Sequence, residues 1–332
     1  MLTKAVVAAG ILLLAQSTVR AEVSELRMAT QFGIGAMPMI LIQRNHLLER
    51  HLADAGLSNV NVQWRQFPGG NPMNEGLLSG SLDIVSGGTT VFITLWSKAK
   101  GATAVKAVGA VSALPLWFMT RDPNVHTLSD LSDHDKISVT TVKVSVHAIL
   151  LQMAATKIWG PADSGRFDPL TVTMPHGDAA AALMSGTSEI NNHFSAPPFQ
   201  YMEAKAAGVR KITSAEEILG APATYMVAYA TEKFRADNPK TYAAFVAALR
   251  ESLDFINKDP RAAAQAYLDA SKDPISVDDA VAMIKDPGAK FTMAPDNVMT
   301  FADFMFKEGL IKIRPNSWKD MFFPEVYDLP GS

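Results

Sequence analysis

Along most of the chain, short apolar runs of strand length alternate with longer stretches of helical periodicity, which predicts α/β architecture with parallel strands. Residues 26–30 read as a first strand and 31–37 as the loop after it. Pro38 then suits the first turn of a single helix that carries Ile40, Leu41, Leu47, Leu48 and Leu52 and stops at Gly56. Val60, Val62 and Trp64 alternate with Asn61, Gln63 and Arg65, predicting a half-buried strand. Further strands are predicted at 82–85, 105–110, 116–120, 137–140, 170–174, 189–191 and 225–230. From Pro239 the pattern changes to helix upon helix, at 242–257, 260–270, 277–284 and 295–308. Pro239, Pro260, Ser276 and Pro295 mark their N-termini. The tail from 317 carries Trp318, Phe322, Phe323 and Tyr327 and is predicted to pack as an irregular strap.

One internal echo bears on organisation. Leu78-Ser79-Gly80-Ser81-Leu82-Asp83-Ile84 and Met184-Ser185-Gly186-Thr187-Ser188-Glu189-Ile190 correspond in kind at six of seven positions. In each, a helix ends at a glycine, and an acidic residue followed by Ile opens a strand. The echo marks equivalent places in two similar α/β lobes. A chain of 332 residues fits about two domains. No linker rich in Gly, Ser or Pro divides it, so the lobes are expected to interleave.

Composition narrows the chemistry. The net charge is −3 and no cluster of Lys and Arg occurs, which speaks against nucleic acid and against polybasic membrane attachment. Cysteine is absent, which removes disulfides, cysteine metal sites, iron–sulfur clusters and thiol nucleophiles. At the N-terminus Lys4 precedes an apolar run over 5–15, followed by Val19 and Ala21 at the −3 and −1 positions of a cleavage site. Eleven apolar residues fall short of the roughly 20 that cross a bilayer. Residues 1–21 therefore read as a cleaved signal peptide, and the mature chain is expected to begin at Glu22 in the periplasm.

Four junctions run from a strand through small or polar residues into a helix: 31–38, 86–91, 140–147 and 191–198. In open α/β sheets ligands sit beyond the carboxyl ends of the strands, where helix N-termini offer unpaired N–H groups to an anion. Gly33, Gly35, Gly87 and Gly88 allow close backbone approach, and Thr89, Thr90, Thr140, Thr141 and Ser145 add hydroxyl donors. Each of these Ser and Thr residues equally suits plain helix capping. Of seven histidines, His46, His51, His126 and His134 read as surface, while His147, His176 and His193 follow strands and converge towards one cleft. Asp178 beside His176 is the only close carboxylate, so no metal site is expected. Gly33-Ile34-Gly35-Ala36-Met37-Pro38 lacks the third glycine of a dinucleotide loop. No P-loop and no G-x-S-x-G elbow occurs, so no cofactor and no catalytic constellation is expected.

Taken together, Gly80-Ser81-Leu82-Asp83-Ile84 with its Gly-Thr turn, Ser145-Val146-His147-Ala148-Ile149-Leu150-Leu151, Pro175-His176-Gly177-Asp178-Ala179 and Ala196-Pro197-Pro198-Phe199 resemble the periplasmic solute-binding proteins of ABC importers. The resemblance is to the branch serving sulfonates, taurine, nitrate and thiamine-precursor pyrimidines, and it covers nearly all of the mature chain. It implies a type II periplasmic-binding-protein fold: two mixed or parallel sheets flanked by helices, with a ligand cleft between the lobes. Lobe one is then 22–112 with 226–332, lobe two is 113–225, and the crossing segments are 111–120 and 222–229. By position it implies ligand contacts at Gly35, Ala36, Met37, Thr89, Thr90, Ser145, His147, His193 and Phe194. Tyr225 is expected to add to Met37 and Phe194 as an apolar wall. Lys143, just before the helix, suits either an anion contact or a solvated loop. Asn192-His193-Phe194-Ser195 lacks the acidic residue many relatives carry there, so their substrate is not inherited. The implied protein is a monomer that binds a small anionic solute, sulfonate- or carboxylate-like, and delivers it to an inner-membrane ABC permease without turning it over. Two alternatives remain: an enzyme like the pyrimidine synthases of the same fold, which rely on cysteines this chain lacks, or an exported solute sensor.

Overall fold

The structure is a computed structural model that describes residues 22–332; the expected signal peptide lies outside them. The described residues form ten strands: β1 Glu25–Thr30, β2 Asn61–Gln66, β3 Ile84–Gly88, β4 Val105–Ala113, β5 Trp117–Thr120, β6 Ile137–Val139, β7 Thr171–Thr173, β8 Asn192–Ser195, β9 Arg210–Ser214 and β10 Thr224–Thr231. They pair into two five-stranded sheets, ordered β2-β1-β3-β10-β4 and β7-β6-β8-β5-β9. Both follow one plan. Three parallel strands lead, a fourth runs against them, and the fifth, antiparallel to the fourth, runs in the direction of the first three. This is the mixed-sheet, helix-flanked architecture expected. The chain passes between sheets directly from β4 to β5, and returns from β9 through the helix Ala215–Leu219 to β10.

The paired glycine echo has a backbone cause. Gly80 and Gly186 end their helices at φ 72° and 66°, a left-handed conformation that glycine adopts without a Cβ penalty. Beyond the first, Asp83 accepts from the backbone N–H, Nε and Nη2 of Arg27, at 2.8, 2.9 and 2.7 Å, and ties β3 to β1. β10 is the keystone of the first sheet: Met226, Val227, Ala228, Tyr229 and Ala230 are at most 1% exposed. Burying a large apolar side chain contributes about 1.5–3 kcal/mol, so this strand carries much of the sheet's cohesion.

The helical C-terminal part packs on the first sheet. Helix Pro239–Lys258 has no side-chain cap of its own, and the carboxylate of Glu22 accepts from Lys240 N–H and Thr241 N–H at 2.9 and 3.1 Å. Asp259 and Ser276 cap helices Pro260–Ser271 and Val277–Ile284. The tail runs in 3-10 turns, and Phe323 N–H donates to Ala107 O at 2.8 Å on the edge of β4.

Three local expectations differ from the structure. The strand expected at 189–191 begins instead at Asn192, and the Asn191 side chain just before it accepts from Lys136 N–H through Oδ1 and donates to Asp135 through Nδ2. The single helix expected to stop at Gly56 is two, Met37–Arg44 and Leu47–Asp54, broken where His46 takes φ 51°. β3 runs on through Gly88, so Ser86, Gly87 and Gly88 are strand, and helix Thr89–Lys98 opens with no loop between. Among the described residues no helix is long and apolar enough to cross a membrane.

Candidate functional site

The carboxyl ends of the two parallel strand sets face each other. The N–H of Ile34, after β1, donates to Pro197 O, after β8, at 3.2 Å, and the Thr90 hydroxyl, after β3, donates to Val144 O, after β6, at 2.6 Å. Residues that follow β1 and β7, with others from both strand sets, line a cavity of about 200 Å³. Gln31, Phe32 and Pro68 wall it from one side and Pro175, His176, Gly177, Asp178 and Phe199 from the other. Tyr225 of β10 and Asp273 complete the wall.

His176 lines the cavity, and behind it three imidazoles meet. The His147 and His176 rings stand edge to face with centroids 4.7 Å apart, and those of His176 and His193 are 5.0 Å apart. His176 Nδ1 and His193 Nε2 share a hydrogen bond of 2.8 Å. On the far side, His193 Nδ1 bonds Glu203 Oε1 at 2.5 Å with both side chains wholly buried. Phe199 stacks on His176, and Phe194 and Tyr225 pack edge-on against His147. Several buried polar atoms have no protein partner: both ring nitrogens of His147, His176 Nε2, Ser195 Oγ and Glu203 Oε2. Buried polar atoms are nearly always paired, and of these the His176 Nε2 belongs to a residue that lines the cavity. Burial, aided by His193, pushes the His147 imidazole down to about 3, and burial with His147 and His193 holds His176 well below its ordinary value. Both are neutral at pH 7. Burial also raises the Tyr225 hydroxyl. No Lys or Arg lines the cavity, while Asp178 and Asp273 do. The pairing of His176 with His193 turns their nitrogens towards each other, and among the described residues no set of three His, Asp or Glu could hold a metal ion.

The residues singled out from sequence take different places here. Tyr225 reaches the cavity wall, and His147 lies against it and His176. His193 and Phe194 are wholly buried one layer behind. Gly35, Ala36 and Met37 are also buried: a Cβ at Gly35 would stand 2.8 Å from the Tyr225 ring, so the ring occupies the space that glycine leaves. The Thr89 hydroxyl donates to Thr224 O at 2.8 Å, Thr90 spans to Val144, and Ser145 Oγ accepts from Ala148 N–H as a helix cap. In this structure these three hydroxyls are engaged with backbone. Lys143 is exposed at φ 64°. Glu203 went unnoticed in the sequence, since it stands ten residues from His193 with no motif between them.

The chain matches no protein-family model, and no curated protein matches it in sequence. Its structure, however, is similar to that of the alkanesulfonate-binding protein SsuA from Xanthomonas axonopodis pv. citri, solved bound to MOPS. The TM-score is 0.67 at 19% identity, over 89% of this chain and 96% of that one. The fold is that of the periplasmic solute-binding proteins. The periplasmic aliphatic sulphonate binding protein SsuA of Escherichia coli is similar at TM-score 0.65 and 18% identity, over 90% of this chain and 98% of that one. The periplasmic nitrate-binding protein NrtA of Synechocystis PCC 6803 is similar at TM-score 0.65 and 13% identity, over 90% and 84%. At these identities the shared property is the periplasmic-binding fold.

Proposed function

We propose that this protein captures a small solute between its two lobes as the extracytoplasmic binding component of an ABC importer. The observation that carries the reading is the cavity between the two sets of strand ends, walled from both sides and lined by His176, whose Nε2 has no protein partner. Its volume of about 200 Å³ is below the roughly 300–1,000 Å³ of pockets for drug-sized ligands, which fits a solute of few atoms. The lobes are taken as 22–112 with 226–332 and 113–225, closing about the segments 111–120 and 222–229. The solute is a small organic molecule with an acceptor-rich end, sulfonate- or carboxylate-like. Tyr225 and Phe199 flank it, and the imidazoles of His176 and His147 lie within reach. Gly35, Ala36, Met37, Thr89, Thr90, Ser145, His193 and Phe194 form the shell that shapes and closes the site. The protein acts as a monomer in the periplasm after cleavage at Ala21, hands its cargo to an inner-membrane permease, and turns nothing over.

A thermal-shift screen of the mature chain with alkanesulfonates, short carboxylates and nitrate tests this. Binding at a hundred times Kd stabilises by about 2.7 kcal/mol, a readily measured rise in Tm. Mass spectrometry of the hit after long incubation should return it unchanged. Consumption of the compound would favour the enzyme reading, and no stabilisation by any acceptor-rich compound would refute the proposed solute class.

A further inference from the structure

We propose that Glu203 and His193 form a buried proton relay that decides whether His176 presents its free Nε2 as a hydrogen-bond acceptor or as a donor. The polarity of the site is thereby set from a layer the solute never touches. The geometry is a single file: Glu203 Oε1 to His193 Nδ1 at 2.5 Å, His193 Nε2 to His176 Nδ1 at 2.8 Å, and then His176 Nε2, buried and unpartnered. Each link holds one proton, so the far end follows from the near end. With the Glu203 carboxylate accepting from His193 Nδ1–H, His193 Nε2 accepts from His176 Nδ1–H, and His176 Nε2 is left as a bare lone pair. The file then carries net charge −1.

One proton added at His176 Nε2 reverses the inner link. The Nδ1 proton of His176 passes to His193 Nε2, leaving an imidazolium against the Glu203 carboxylate and a neutral His176 with Nε2–H. Placing the extra proton on Glu203 instead gives the same outer face, because His193 then donates to His176 from Nε2. The titration belongs to the file as a whole. The other groups facing it leave the proton within it. Burial keeps His147 and His176 from holding charge themselves. Phe199 and Tyr225 are uncharged, and Asp178 and Asp273 on the cavity wall favour proton uptake. With no Lys or Arg in the lining, an acceptor-rich solute needs the donor form, so it binds with uptake of one proton. That last step rests on the solute-binding reading; the switch itself does not.

Nitrogen-15 NMR of histidine-labelled mature protein, without solute, reads the tautomer of His176 directly as pH is lowered from 9 to 5. The expected result is a change from the Nδ1–H to the Nε2–H tautomer with no imidazolium signature at His176. In Glu203→Gln the amide oxygen still accepts from His193 but no longer balances its charge. The changeover should then move down by about one to two pH units, the worth of one charge-assisted hydrogen bond. A His176 that keeps one tautomer throughout in the wild-type protein overturns the relay, whether or not the variant folds. Calorimetry with ethanesulfonate in two buffers of different ionisation heat then reads one proton taken up above the changeover. A tautomer change in a protein that ignores ethanesulfonate upholds the switch and counts only against the solute class.

Discussion

Thr90→Val isolates one of the two hydrogen bonds described above between the two strand sets. The Thr90 side chain is wholly buried and its hydroxyl donates at 2.6 Å to Val144 O, which belongs to the opposite strand set. Valine keeps the volume and removes the donor. A neutral hydrogen bond is worth about 0.5–1.5 kcal/mol net, and a carbonyl left unpaired costs about 1–3 kcal/mol where it is fully buried. Val144 is only half-buried, and its carbonyl regains water when the lobes part, so a penalty of about 1–2 kcal/mol falls on the closed form alone. That raises the ratio of open to closed molecules about 5- to 30-fold. The bond from Ile34 N–H to Pro197 O remains, so the hinge path is kept and only the balance moves. Because the chain has no cysteine, Glu75→Cys and Ser185→Cys, both at exposed positions, give a clean pair for spin labels. Double electron–electron resonance should show a longer-distance population growing in Thr90→Val. A distance distribution identical to that of the parent would mean that this hydroxyl does not bias closure, and the argument would fail.

Gly35→Ala should destabilise by about 1–3 kcal/mol, the usual cost of overpacking, because its Cβ meets the Tyr225 ring at 2.8 Å. Urea denaturation of the Gly35→Ala/Tyr225→Ala pair should recover much of that loss, and strict additivity would show that the ring is not what the glycine accommodates. His147 is depressed to about 3 in the folded protein, so its contribution is intact above pH 6.5 and is lost as pH falls towards 3. The unfolded chain takes a proton there that the folded one refuses. Stability should therefore drop about 1.4 kcal/mol per pH unit from this residue, and His147→Phe should remove that share from the pH dependence of urea midpoints. Glu22→Gln should lower stability by about 0.5–1 kcal/mol in thermal unfolding through loss of charge at the N-terminus of helix Pro239–Lys258, with high salt shrinking the difference.

How much of this was written in the residue pattern depends on the range of the interaction. The β1 strand, the strand at Tyr225 and the glycine-ended helices at Gly80 and Gly186 were legible because alternation, capping and left-handed glycine are decided within a few residues. The break at His46 and the start of β8 were not, since each depends on what its side chains or backbone meet from elsewhere. At the site, the convergence of His147, His176 and His193 was legible from their places at strand ends, although His193 proves to lie within β8. Their order in depth was not. Nothing in Asn192-His193-Phe194-Ser195 tells that His193 turns inward to Glu203 while His176 faces the cavity. Likewise, hydroxyls read as donors to a ligand found backbone carbonyls that come near only when both lobes are built.

The position of β10 between β3 and β4 also dictates an order of assembly. A chain that emerges N-terminus first produces β1 to β4 early, yet nothing joins β3 to β4 until residues 224–231 arrive to lie between them. The second sheet draws all five of its strands from 117–214 and can close by itself. The first must wait with two open edges, the kind of surface that pairs readily with another chain. Contacts so distant in sequence form slowly, because the loop between them must be closed before they stabilise anything. The same crossing therefore keeps the first sheet unfinished until most of the chain has been made.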